Sequence, residues 1–332
     1  MRIAVVIPVL GLLAFVRAAG AVGFQQAAAP DPDDKPLAVA IWYPSSAPPT
    51  PRPFGLLSMA VAENAPVAGD HLPLIVISHG TGGSDAGHID TAIALAEAGF
   101  VVAAVTHTGD NPLDRSYSFT RRNFVGRPRH VSRVIDYMLS GWAGHARIDP
   151  ARIGAFGHSA GGFTVLVASG GVADFARVRQ FCADHPDAWD CRQAPVAQTN
   201  GAPLSGPTAV GPEHDARIKA AIVAAPAIVY TFPPQGLAGI TIPFQVWSAG
   251  KDVIAPPQWN ADVLRTALPA PEYHAVPDAG HFSFLTPCSE ALARAAPPEI
   301  CSDPPGFDRA AFHREFDRAV VGFFSTRLRS GG

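Results

Sequence analysis

Pro73 to Gly80, PLIVISHG, is an apolar run with no polar interruption until it stops at a serine, a histidine and a glycine, and segments of the same kind recur along the chain. FVVAAVTH at 100–107, RIGAFG at 152–157, IKAAIVAAPA at 218–227 and TIPFQVWSAG at 241–250 are rich in consecutive apolar residues rather than strictly alternating. Continuous apolar character suits strands covered on both faces. Between these runs the spacing turns helical. HIDTAIALAEAGF carries Ile89, Ile93, Leu95 and Ala98, and HVSRVIDYMLSGW, after a polar loop over 108–129, puts Val131, Val134, Ile135 and Met138 on one face. Such alternation predicts an α/β fold, a mostly parallel central sheet flanked by helices. EYHAVP at 272–277 reads as the last strand. A closing helix runs from about Asp308 to Leu328, with Phe312, Phe316, Val320 and Phe323 or Phe324 inward. Near the start, LAVAIWYP at 37–44 alternates and ends at a proline, which predicts an edge strand, and a weaker strand is read near Leu57 to Val61.

Two stretches depart from this pattern. Residues 1–21 combine Arg2, an uncharged apolar run from Ile3 to Val16 and a small-residue site at Ala19-Gly20-Ala21, the order of a secretory signal peptide. That run is short for a bilayer and contains Pro8, so no stable membrane span is expected and the protein is expected to be periplasmic or secreted. Residues 22–332 read as one domain. Within it, 171–216 replaces a simple crossover with prolines, charges, large aromatics and a cysteine pair, and is expected to form a lid-like cap over the active face. The four cysteines fall in two near pairs, Cys182 with Cys191 and Cys288 with Cys301, which in an exported chain predicts two disulfides closing short loops. No pair has CxxC spacing and only His185 lies close to one, so no metal site is expected. A net charge of −3 without a Lys/Arg cluster argues against nucleic acid as a partner.

RIGAFGHSAGG, from Arg152 to Gly162, has the GxSxG pattern of a nucleophile elbow, with a strand before it and the small-residue helix GGFTVLVAS after it. Gly157 and Gly161 suit a turn so sharp that a side chain two positions from the serine meets the neighbouring strand or helix. Ser159 is therefore the candidate nucleophile. A serine hydroxyl needs a base, and the base needs an orienting acid. For an elbow serine the chain order should be serine, acid, histidine, with each at the carboxyl end of a strand. Of the 12 histidines only His281, in PDAGHFSF, meets both conditions, and Asp252, in SAGKDVIAPP, stands at the end of the preceding strand. Asp278 is read as a turn-shaping residue, His158 as pointing away from Ser159, His79 as structural, and His274 and His313 as residues of a strand and a surface helix. The amides of Ala160 and of Thr81, in HGTGGS, are the expected oxyanion donors. HGTGGS lacks the lysine and spacing of a phosphate-binding loop, and no cofactor is expected.

The elbow, HGTGG, GKDVIAP and AGHF together resemble the α/β-hydrolase superfamily over nearly all of the chain after the leader. Within it, VGFQQ through PDPDDKPLAVAIWYPS and the run LIVISHGTGG are similar to exported bacterial proteins labelled predicted dienelactone hydrolases, relatives of the platelet-activating-factor acetylhydrolases. True dienelactone hydrolases use cysteine where this chain has Ser159, so that label says little about substrate. Mammalian-type acetylhydrolases take their acid from the strand after the elbow, where this chain has VAAPA; the position of Asp252 resembles cutinases and polyesterases. The resemblance implies a serine hydrolase acting on a small-molecule or lipid-like ester, and a monomer is expected. Peptidases and acyltransferases use the same triad, and a binding protein on a hydrolase scaffold is the non-enzymatic alternative. Phe175, Phe181, Trp189, Tyr117 and Phe119 either line an apolar acyl pocket or pack their segments down.

Overall fold

The apolar runs form the middle of a ten-stranded sheet in a computed structural model that describes residues 21–200, 209–210 and 213–329. In chain order the first strands are β1 (Ala21–Ala29), β2 (Leu37–Ser45), β3 (Thr50–Phe54), β4 (Leu57–Glu63) and β5 (Leu72–Ser78). Helix α1 (Ile89–Glu97), β6 (Val101–Thr106), α2 (Arg121–Ser140), β7 (Ile148–His158) and α3 (Ala160–Ala168) follow. The segment beyond α3 contains the two-residue strand β8 (Ala173–Asp174), α4 (Ala176–Asp184), α5 (Ala194–Thr199) and β9 (Ala209–Val210), which pairs with β8. The sheet resumes with β10 (Ile218–Ala224), β11 (Phe244–Ala249), α6 (Ala261–Ala267) and β12 (Glu272–Val276), and the short helices α7 (Glu290–Ala295) and α8 (Pro298–Cys301) precede the closing helix α9 (Arg309–Arg327). The signal-peptide expectation falls on residues outside those described, except that Ala21 is already the first residue of β1 and pairs with Ser45.

Sheet order is β12-β11-β10-β7-β5-β6-β2-β1-β4-β3, and every pair from β12 to β6 is parallel. Successive side chains of a strand point to opposite faces, so a continuous apolar run feeds two layers at once. In β5, Leu74 and Val76 join the layer of α2, α3 and α6, whereas Ile75 and Ile77 join that of α1 and α9. Because β5 lies between β6 and β7, the chain reverses its direction of winding there. Ligand sites of open α/β sheets form at the carboxyl ends of strands at such a switch point.

LAVAIWYP is not an edge strand. β2 lies between β6 and β1, with Trp42 and Tyr43 fully buried, and β1 pairs with it in antiparallel register along its whole length. The edges of the sheet are β3 and β12. Helix α2 also starts earlier than its apolar face predicts, at Arg121 behind the cap residue Thr120, whose side chain accepts from the Asn123 amide. Among the described residues no helix is long and apolar enough to cross a membrane.

Candidate active site

Strand β7 ends at His158, and Ser159 takes φ 55° and ψ −121° before α3 begins. This left-handed backbone is rare for a residue with a side chain and survives only where the surroundings impose it. Here they do: a Cβ on Gly157 would lie 2.1 Å from the Gly161 carbonyl oxygen, and one on Gly161 would lie 1.9 Å from that of Ser78. The crowding locks the elbow between β5 and α3. The Ser159 amide donates to Ala224 O of β10 (3.1 Å), and the Ala227 amide donates to Ser159 O (3.1 Å).

His281 follows β12 at the start of a 3-10 turn, His281–Phe284. Its Nε2 lies 2.8 Å from Ser159 Oγ and its Nδ1 2.6 Å from Asp252 Oδ2. Asp252 follows β11, and its other oxygen accepts from the amides of Ile254 (2.8 Å) and Ala255 (2.7 Å). Those two bonds set the carboxylate's orientation, so Oδ2 is left for the imidazole. All three side chains are buried. Three residues far apart in the chain thus meet at the carboxyl edge of β7, β11 and β12. The expected oxyanion donors sit on the two neighbouring turns: Thr81 beyond β5, and Ala160 at the first position of α3. Neither amide donates to another group among the described residues.

His158 Nε2 donates to the carbonyl of His281 (3.0 Å), and burial pushes its basicity well below the ordinary histidine value. It therefore acts as a neutral brace for the His281 loop. His79 Nδ1 donates to Gly80 O (2.6 Å) and its Nε2 accepts from the His107 amide (3.0 Å), while burial lowers its pKa to about 3. Asp278 pairs with Lys251 (2.7 Å) across the loops that carry Asp252 and His281. His274 lies in β12, stacked on Trp247 with centroids 4.1 Å apart. The expectation for His313 fails: it is buried, with Nδ1 2.6 Å from Asp90 Oδ2 and Nε2 donating to Ser283 O (3.0 Å). Thr286 Oγ1 also donates to Asp90 (2.7 Å), so α1 and α9 hold the loop behind His281 from two sides.

Asp90, His313 and Asp317 are the one group of potential metal ligands among the described residues, their nearest ligand atoms all within 4.8 Å. Both Asp90 oxygens are engaged by His313 and Thr286, and Asp317 Oδ1 accepts from Thr91. The cysteines pair as predicted, Cys182–Cys191 and Cys288–Cys301. The first bond closes the loop after α4, whose Phe181 stacks on Tyr230 (3.6 Å) and meets Trp259 edge-on (5.2 Å). Trp189 packs on Phe119 (5.5 Å). Phe175 packs its segment down, buried against Phe124 and Phe163. Tyr117 lies under the Arg122 guanidinium (3.9 Å). Between Trp189 and Cys191, Asp190 has its pKa raised to about 7 by burial, with the charges of His281 and Asp252 also acting on it. Asp110 and Arg127 form a wholly buried ion pair (2.7 Å) behind HGTGG that the sequence does not announce, because a charge in an apparently polar loop carries no signal of burial.

Residues 52–124 match the family described as platelet-activating factor acetylhydrolase, isoform II. That stretch runs from β3 through HGTGG into the first turn of α2 and stops short of Ser159. No curated protein matches the chain. Among solved structures, the ferulic acid esterase from Streptomyces cinnamoneus is similar at 21% identity and a TM-score of 0.63, over 95% of this chain and 92% of that one. The chain has the α/β-hydrolase fold, and the two similarities are both to carboxylic ester hydrolases.

Proposed function

We propose that this acetylhydrolase-like α/β hydrolase cleaves carboxylic esters with Ser159 as nucleophile, His281 as base and Asp252 as orienting acid. The observation that carries the proposal is the His281 ring bridging Ser159 Oγ at 2.8 Å and Asp252 Oδ2 at 2.6 Å. Since Asp252 accepts from Nδ1–H, the free lone pair of the imidazole is on Nε2, facing the serine. As Ser159 Oγ attacks the ester carbonyl, Nε2 takes its proton and the carbonyl oxygen becomes an oxyanion between the amides of Thr81 and Ala160. Collapse of that intermediate breaks the bond to the alkoxy oxygen, which leaves with the proton from Nε2. Water then gives its proton to Nε2, attacks the acyl-enzyme, and the carboxylic acid departs as Ser159 is reprotonated.

Disulfide-bonded Cys182–Cys191 and the aromatic packing of α4 support residues 171–200, the continuously described part of the expected 171–216 cap, as a cap beside this site, with Phe181 and Trp189 holding it down. The two disulfides also support export into an oxidising compartment. The test is hydrolysis of p-nitrophenyl esters of increasing acyl length by the intact protein and by Ser159→Ala. Turnover should fall at least about a thousandfold in the variant. A fluorophosphonate should label only the intact protein. Equal hydrolysis by both proteins would remove Ser159 from the mechanism.

A further inference from the structure

We infer that the buried Arg127–Asp110 ion pair sets the spacing of the oxyanion site, holding the Thr81 and Ala160 amides in one geometry from behind. This inference rests on the serine-esterase proposal above and extends it to residues that never touch substrate.

The two amides belong to separate elements, the turn after β5 and the first turn of α3. An oxyanion site works only if both donors stay within a few tenths of an ångström of one arrangement. No covalent link or shared helix provides that. Arg127 and Asp110 are fully buried, with Nη1 2.7 Å from Oδ2. Pairs of this kind contribute little net stability, because desolvating both charges offsets their attraction. Their worth must be sought in what else they hold.

Asp110 Oδ1 accepts from the amide of Gly82, the residue after Thr81 (2.9 Å). Arg127 Nη2 donates to the carbonyl of His79, two residues before Thr81. The turn bearing the first donor is thus gripped on both sides of it. Arg127 Nε donates to Thr164 Oγ1 (3.1 Å), and Thr164 Oγ1 donates to the carbonyl of Ala160 (2.9 Å), the residue whose amide is the second donor. A guanidinium is planar and its nitrogens keep a fixed separation, so one rigid fork ties both elements together; a lysine ammonium cannot reproduce it. Asp110 is itself fixed by Ser118 Oγ (2.7 Å) and Asn123 Nδ2 (2.7 Å), which leaves the pair no second arrangement.

The experiment uses the full-length protein and the variants Thr164→Val, Asp110→Asn and Arg127→Lys. For each, thermal unfolding, kcat and KM on a p-nitrophenyl ester, and inhibition by an alkylboronic acid are measured; the boronate forms a tetrahedral adduct on the serine and places an oxyanion-like hydroxyl in the site. Thr164→Val keeps the side-chain shape and should remain folded. It should lower kcat about ten- to a hundredfold, less than loss of a whole donor, with KM within about twofold. Boronate affinity should fall in step with kcat. Arg127→Lys should do the same, and combining it with Thr164→Val should add little, as expected of residues that act as one unit. Folded Thr164→Val with unchanged kcat and boronate affinity would overturn the inference, whatever becomes of the charged variants. So would losses that only track the folded fraction. If the wild type neither hydrolyses esters nor is labelled at Ser159, the esterase proposal fails and this one with it; an active wild type with unimpaired variants defeats this one alone.

Discussion

Replacing Asp317 by Asn should make the protein more stable at pH 8 and change it much less at pH 5. Asp317 lies on α9 facing α1, where Thr91 Oγ1 donates to its carboxyl (2.7 Å). Burial, and then the nearby negative charge of Asp90, raise its pKa from 3.8 to about 7. Burial opposes charge on Asp90 and His313 too, but their mutual hydrogen bond and attraction outweigh it, so Asp90 is held below its ordinary value and His313 above. At pH 5 the cluster therefore contains one carboxylate, one imidazolium and one neutral acid. A carboxyl with a raised folded-state pKa contributes stability that is whole below its unfolded value and is lost as pH rises through its folded value. For Asp317 that window runs from about 4 to about 7. Between pH 5 and 8 the ideal loss is about 3 kcal/mol, which partial exposure and the neighbouring imidazolium reduce to about 1–2 kcal/mol. Asparagine still accepts from Thr91 and does not titrate. At about 2–4 °C per kcal/mol, its advantage in thermal midpoint should widen by about 2–8 °C on going from pH 5 to pH 8. Circular dichroism melts of both proteins at the two pH values decide the matter. A difference that is the same at both, or a wild type that gains on the variant as pH rises, would refute the assignment of a neutral Asp317.

Gly161→Ala should destabilise by about 3 kcal/mol or more and lose activity, because its methyl would sit 1.9 Å from the Ser78 carbonyl oxygen. By contrast Gly322→Ala, at an exposed position of α9 with no atom within 4 Å of the new methyl, should stabilise by about 0.5–1 kcal/mol in denaturant titration. Removing the Cys288–Cys301 bond, which spans a sequence separation of 13, with a double serine variant should lower stability by about 3 kcal/mol; an unchanged midpoint would show that the bond does not constrain the unfolded chain. Burial raises the Asp190 pKa to about 7, and the charge of His281 acts on it, so hydrolysis of an ester with an anionic acyl group should fall about three- to tenfold relative to a neutral ester between pH 6 and 8. Asp190→Asn should abolish that change in ratio.

What could be read from the sequence and what could not divide along a physical line. β5, β6, β7, β10 and β11 were legible because both of their faces are apolar and the signal is carried by consecutive residues. β1 was not: AVGFQQAAA has one β-branched residue, and its place is secured by Phe24 packing on Trp42 and Phe54, contacts that no local pattern announces. Missing β1 turned β2 into an expected edge. The start of α2 was lost for a related reason. Its first turns bury Asn123, Arg127 and His130 alongside Phe124, so the inward face is mixed, and periodicity of apolar residues registers only the later half.

The site divides in the same way. Ser159, Asp252 and His281 are legible because chain order along a wound sheet dictates which strand ends become neighbours, and the contacts at 2.8 and 2.6 Å follow that order. Asp110 and Arg127, or Asp90 and His313, carry no such rule. Each is one charge in a stretch that looks solvent-exposed, and only its partner, 17 or 223 residues away, makes burial tolerable. Apolar residues can be assigned to the interior one at a time, since each loses water favourably by itself. A buried charge is a property of a pair, so the sequence of either member is silent until the fold has brought the other. In this molecule both pairs back the loops that carry Thr81 and His281. The elements on which catalysis would depend most closely are therefore held by the interactions that sequence expresses least.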